Sequence, residues 1–151
     1  MTETRNAETQ SAQSQSARPL PAAPFLKIPE EGSPYLEGFR CAKCAEVFLA
    51  DHPACAACRA RGSLKPYRLA DTGKLYNFTV VHRNFPGVAV PFISAIVDLD
   101  GGGSVKGNLV DIVPSPEALK FDMPVKVVYR DAGRKDKDGH SYLAYFFTPA
   151  A

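Results

Sequence analysis

The sequence predicts a mainly β protein in two parts, a small cysteine-bearing ribbon ahead of a five-stranded barrel. Three observations carry that expectation: four cysteines spaced as two close pairs, five short apolar segments separated by turn residues, and one proline-started helical turn between the third and fourth segments.

Composition sets the outer bounds. At 151 residues the chain is one ordinary domain or two very small ones sharing a boundary. It is 45% hydrophobic and 23% charged, and it contains no unbroken apolar run of the length, roughly 18 residues, that spans a bilayer. The polar start over residues 1–15 lacks the apolar centre of a secretory signal, so the expected compartment is the cytoplasm, where thiols stay reduced and disulfides are disfavoured. Residues 1–24 are rich in Ser, Gln, Thr, Ala and Pro and nearly devoid of large apolar side chains. They are expected to be a disordered tail, since they bury too little surface to offset ordering entropy.

Residues 25–68 are expected to hold a short helix and then the ribbon. Ser33 reads as a helix cap, Pro34 as a first-turn residue and Gly38 as a stop. The cysteine module follows at once, with the spacing Cys-x2-Cys-x10-Cys-x2-Cys formed by Cys41, Cys44, Cys55 and Cys58. Each pair turns sharply enough to aim two sulfurs at one point, and two pairs complete a tetrahedral S4 shell. Zinc is the favoured metal. Iron in a rubredoxin-type site uses similar geometry, and disulfides or free thiols are the remaining alternatives. Four thiolates fill the shell and leave no open position, so the ion would be structural and would supply most of the folding free energy of a module this small. A Zn2+ held by four thiolates would also cancel the formal charge of +2, which removes the usual electrostatic case for nucleic-acid binding.

Residues 69–151 are expected to form the barrel. Strands are read at 74–83, 91–99, 104–110, 124–130 and 141–147, with turn signals at Pro86-Gly87, at 100–103 and at Asp138-Gly139 inside a charged loop over 131–140. Alternation is clean in the fourth, where Val125, Val127 and Tyr129 share a face. In the first, Tyr76, Phe78 and Val80 oppose Leu75 and Val81, a pattern that suggests cover on both sides. Ser115-Pro116-Glu117-Ala118-Leu119 has the cap, proline and acidic first turn of a helix start. Five short strands with a helix after the third describe a partly open Greek-key barrel of OB-fold type. The whole chain thus reads as an N-terminal rubredoxin-like zinc ribbon followed by a five-stranded OB-fold barrel.

With cysteines and strands placed, residues 33–149 resemble the family of zinc-ribbon and OB-fold proteins known as domain of unknown function thirty-five. The resemblance rests on the segments 38–44, 52–58, 71–83, 91–102, 121–130 and 145–149, in that order. The family often has glycine directly after the second cysteine of each pair, where this chain has Ala45 and Arg59. The resemblance implies an auxiliary role in acyl-CoA metabolism, in a hetero-oligomer with a thiolase-like or ketosynthase-like catalytic subunit. The chain would help bind or channel an acyl-CoA thioester and hold the catalytic subunit, contributing no catalytic residue of its own. In size and layout it is similar to the small-subunit type that accompanies an aryl-succinyl-CoA thiolase. Independently of the resemblance, a thiolase needs a free cysteine nucleophile beside a base, and every cysteine here is assigned to metal.

Residues that would contact acyl-CoA or the partner are His82, Arg83, Phe85 and Val88, together with Arg134 and Lys135. His82 stands at the end of the first barrel strand, and Arg83, Phe85 and Val88 belong to the unusually apolar connection 83–90 that follows it, in which Phe85 and Val88 would line an acyl path and Arg83 would meet a CoA phosphate. Arg134 and Lys135 sit in the last hairpin among acidic neighbours, a pattern that otherwise describes a solvated turn. His52 and His140 read as structural. The competing function is single-stranded nucleic-acid binding, which both ribbons and OB-folds perform through stacked aromatics and a positive groove. The resources for it are thin: the second strand offers only Phe92 and the third no aromatic.

Overall fold

The computed structural model describes residues 18–150. The strands, in chain order, are β1 Leu20–Pro21, β2 Leu26–Lys27, β3 Tyr35–Cys41, β4 Val47–Phe48, β5 Leu64–Arg68, β6 Thr72–Val81, β7 Phe92–Leu99, β8 Ser104–Leu109, β9 Pro124–Lys135 and β10 Ser141–Pro149. β6 through β10 close on themselves in the order β6-β7-β8-β10-β9-β6. All neighbours are antiparallel except β8 and β10. This is the expected OB-fold barrel, and its five strands fall where the apolar segments predict them.

The seam between β8 and β10 is thin. Phe147 opposite Leu109 is the only ladder pair, supported by the Val110 amide donating to the Phe147 carbonyl at 2.8 Å. The Tyr145 hydroxyl donates to the Lys106 carbonyl at 2.5 Å, so a side chain replaces ladder bonds across the opening. Gly107 lets this happen, because a Cβ there would stand 2.8 Å from the Phe147 ring and 2.9 Å from the Tyr145 ring.

Inside the barrel Leu75, Ile93, Val97, Val105, Val125 and Phe147 are almost wholly buried. The same cluster contains Leu26, Leu36, Val47 and Leu69 from the ribbon side. The base of the ribbon and the barrel therefore share one hydrophobic core. Only a small second cluster, Cys41, Cys55 and Leu64 with Phe39 and Phe48 against them, belongs to the ribbon tip alone.

Four expectations need correction. Ser33–Glu37 does not start a helix: from Tyr35 the chain is the central strand of the ribbon sheet, flanked by β2, β4 and β5. Alternate residues Leu36 and Gly38 are buried, and Gly38 packs so tightly that a Cβ would meet the Phe48 carbonyl oxygen at 2.5 Å. Tertiary contact thus overrides the local cap signal. In β6 a bulge between Leu75 and Asn77 makes Tyr76 the extra residue. It turns Tyr76 outward at 60% exposure and returns Phe78 and Val80 to the core side with Leu75, so no second cover over that strand is required. The first half of the charged 131–140 segment is strand, because β9 continues to Lys135 opposite Ser141, with an irregularity in the pairing between Asp131 and Lys135. The turn itself is Asp136–His140, whose Asp136 carboxylate accepts from the backbone amides of Asp138 and His140. Finally, of the disordered tail expected over residues 1–24, residues 1–17 lie outside the described residues, and among the described ones Leu20–Pro21 is ordered, pairing in parallel with Tyr142 and Leu143. The interstrand helix is one 3-10 turn, Pro116–Ala118, with no side-chain bond from Ser115.

Candidate metal centre and adjoining groove

Two hairpin tips bring the four cysteines together. In the first, the Ala45 amide donates to the Cys41 carbonyl at 2.9 Å and the Cys41 amide to the Glu46 carbonyl at 2.9 Å. The second repeats it, with Arg59 donating to Cys55 at 2.8 Å and Cys55 to Ala60 at 2.9 Å. Ala45 and Arg59 both adopt φ 64°, the left-handed conformation that glycine takes at no steric cost. The family's glycine positions therefore keep their backbone shape here without the glycine.

All four sulfurs lie within 4.8 Å of one another. Cys41 and Cys58 Sγ are 3.7 Å apart, and Cys44 and Cys55 Sγ 3.6 Å. These distances are far longer than a disulfide, about 2.0 Å. They match the roughly 3.8 Å between sulfurs at the corners of a tetrahedron with metal–sulfur bonds near 2.3 Å. Cys41 and Cys55 are buried, while Cys44 and Cys58 face solvent. The donor set and its spacing fit one tetrahedral, thiophilic ion.

The electrostatics point the same way. The Ser63 hydroxyl, with the backbone amides of Cys44 and Lys43, lowers the Cys41 thiol to about 6. At Cys44 the Glu46 amide is the largest influence and lowers it, yet burial and the thiols of Cys55, Cys41 and Cys58 together push it up to about 12. A thiolate at Cys41 is thus favoured, and a second one at Cys44 beside it is disfavoured.

The acyl-CoA or partner contacts expected from the sequence are only partly gathered. Val88 and Arg134, from distant segments, line one groove of about 470 Å3 with Ala22, Gly107, Tyr145 and Phe146. It lies at the β8–β10 opening, and the Arg134 guanidinium is held 5.1 Å over the Tyr142 ring. Arg83 and Phe85 line a separate surface depression with Asn84 and Pro86, and Phe85 is 82% exposed. His82, directly after β6, is also outside the groove, and Lys135 lies at the end of β9. Sequence reasoning missed Tyr145 and Gly107 as groove residues, since each reads locally as an ordinary strand position.

Two histidines are explained by packing. His52 stands edge-on to Phe48 at 6.3 Å, and His140 Nδ1 pairs with Asp136 at 3.1 Å inside its own turn. A depression along β6, β7 and β8 is lined by Asn77, Thr79, Ser94, Ile96 and Lys106, with Phe78 reaching it from the core side. Its one aromatic, Phe78, packs against Phe121 with the rings tilted by 36° and their centres 5.4 Å apart. Among the described residues no helix is long and apolar enough to cross a membrane.

Residues 67–130 match the family described as the ChsH2 C-terminal OB-fold domain. A DUF35 domain-containing scaffold protein of Methanocaldococcus jannaschii is 32% identical over 117 residues, which is 76% of this chain and 81% of the relative. The benzoylsuccinyl-CoA thiolase subunit BbsA of Thauera aromatica is 26% identical over 123 residues, 81% of this chain and 82% of the relative. Among solved structures, an Ltp2-ChsH2(DUF35) aldolase superposes with a TM-score of 0.61 at 28% identity, covering 78% of this chain and 86% of that one.

Proposed function

This chain belongs to the DUF35 family, and we propose on that footing that it is a non-catalytic auxiliary subunit of an acyl-CoA thiolase or acyltransferase complex. One observation carries the reading: all four cysteines of the chain meet at a single point, so none stands free beside a base as a thiolase nucleophile must. Cys41, Cys44, Cys55 and Cys58 hold one structural zinc ion, and with its shell filled by sulfur that ion fastens the two hairpin tips together and performs no chemistry. The thiolate set works in the reducing cytoplasm.

The bond-making chemistry resides in a thiolase-like or ketosynthase-like partner. The Val88–Arg134 groove contributes apolar wall and a cation to the acyl-CoA path, which suits a thioester carrying phosphates on its CoA end. Relatives named as subunits of a benzoylsuccinyl-CoA thiolase support the finer reading, a small subunit of an aryl-succinyl-CoA thiolase. The single-stranded nucleic-acid alternative has thin resources: on the face of β7 and β8 that carries Ser94, Ile96 and Lys106, Phe92 is the one aromatic among the described residues, and stacking needs several.

Affinity purification of the native protein tests the proposal. A thiolase-like chain should come with it, and acyl-CoA turnover should require both. Turnover by the chain alone, or retention on single-stranded DNA that weakens with salt, contradicts it.

A further inference from the structure

Ser63 is one of only two buried polar residues among the described ones, at 6% exposure. Its place between the two hairpin tips is specific. The Ser63 Oγ lies 3.3 Å from Cys41 Sγ and 3.0 Å from the Ala60 carbonyl oxygen, and the Ser63 carbonyl accepts from the Ala42 amide at 2.8 Å. One residue thus touches the first tip through Cys41 and Ala42 and the second through Ala60. No other cysteine of the four has a side-chain hydroxyl beside it among the described contacts; Cys44 and Cys58 face solvent instead.

We infer that Ser63 is a positioning residue of the metal centre, aiming the Cys41 sulfur at the ion and donating an O–H···S hydrogen bond to it in the loaded state. This rests on the reading of the four cysteines as ligands. The Ala60 carbonyl already accepts from the Cys55 amide, so the hydroxyl can turn to sulfur without leaving that oxygen unpaired. A hydrogen bond to a metal-bound thiolate withdraws electron density from sulfur and fixes its direction, and groups that orient ligands in this way are worth about 10- to 100-fold in metal affinity. Burial strengthens the effect, because water cannot replace the lost donor.

The test compares wild type with Ser63→Ala, Ser63→Thr and Ser63→Val in the full chain. Thr and Val have nearly the same volume, so the pair separates the hydroxyl from packing. Each is loaded with Co2+, its sulfur-to-cobalt charge-transfer band recorded, and metal release to a coloured chelator timed. The hydroxyl-bearing proteins should keep the wild-type band, while Ala and Val move it to longer wavelength and lose metal about 10- to 100-fold more readily. If Thr and Val behave alike, or if all four proteins share one band and one rate, Ser63 only fills space. A wild-type chain that takes up no Co2+ at all overturns the metal centre itself, which is a different result from either.

Discussion

Ala45 and Arg59 share a backbone conformation, φ 64°, each one residue past the second cysteine of its pair. The left-handed region costs a residue with a Cβ about 1 kcal/mol or more, and the hairpin tips accept that cost to aim the sulfurs. Ala45→Gly and Arg59→Gly should therefore leave the metal centre intact and raise stability, by up to about 0.5–1 kcal/mol each. Ala45→Val should lower it. Thermal unfolding of the metal-loaded protein reads all three, and destabilisation by the glycines would show that the side chains matter more than the strain.

Removing the ion should unravel the tip and spare the base. Val47, Leu36 and Leu26 are built into the barrel core, whereas the tip has only the Cys41, Cys55 and Leu64 cluster. After chelation, hydrogen exchange should accelerate at the amides of Cys41, Ala45, Cys55 and Arg59 and stay slow in β7 and β8. Equal loss in both regions would mean that the ion supports the whole molecule.

Close backbone approaches rank the glycines. A Cβ on Gly73 would meet the Asp98 carbonyl oxygen at 2.3 Å, while one on Gly107 would meet ring edges at 2.8 Å and 2.9 Å. Rings can tilt and a ladder carbonyl cannot. Gly73→Ala should cost about 3 kcal/mol and Gly107→Ala about 1–2 kcal/mol in urea unfolding, and the reverse order would refute the seam as described.

Asp111 supplies a pH dependence. Its carboxylate accepts two hydrogen bonds from Arg130 and one from Thr148. The Arg130 bonds are the main reason its pKa lies below the ordinary carboxylate value, with burial opposing and Thr148 assisting. A folded-state pKa below the unfolded value, near 3.9, makes the contribution complete above about pH 4 and lost as pH falls through the lower, folded value. Asp111 sits at φ 60°, which asparagine tolerates. Asp111→Asn should lower stability at neutral pH, where the carboxylate's contribution is present, and change it little at the acid end, so that the acid limb flattens; an unaltered limb would assign it to other carboxylates.

Arg134 and Lys135 separate the groove from the turn. Only Arg134 lines the groove with Val88. In the assembled complex Arg134→Glu and Val88→Asp should raise KM for acyl-CoA several-fold, and Lys135→Glu should not. Equal effects of the two charge reversals would indicate long-range electrostatics instead of contact.

Much of this was legible in the sequence, and the misses have physical causes. Cysteine spacing and strand alternation are local signals, and they located the ribbon and all five barrel strands. The strand at Tyr35–Cys41 was hidden because Ser33-Pro34 is a good helix start in isolation, while the pairing with Leu64–Arg68 is made far along the chain. The bulge at Tyr76 inserts one residue into a period of two, which no composition marks. Leu20–Pro21 is a strand only because the exposed edge of Tyr142–Leu143 receives it. Val88 and Arg134 meet through barrel closure, and neither segment alone signals the other.

Metal analysis combined with thiol titration tests the central claim most directly. The native chain should carry one zinc ion and react with a thiol reagent at none of its cysteines, then at all four once denatured with chelator present. A reactive thiol in the metal-loaded protein, or a folded ribbon without metal, would contradict the assignment of every sulfur to the scaffold.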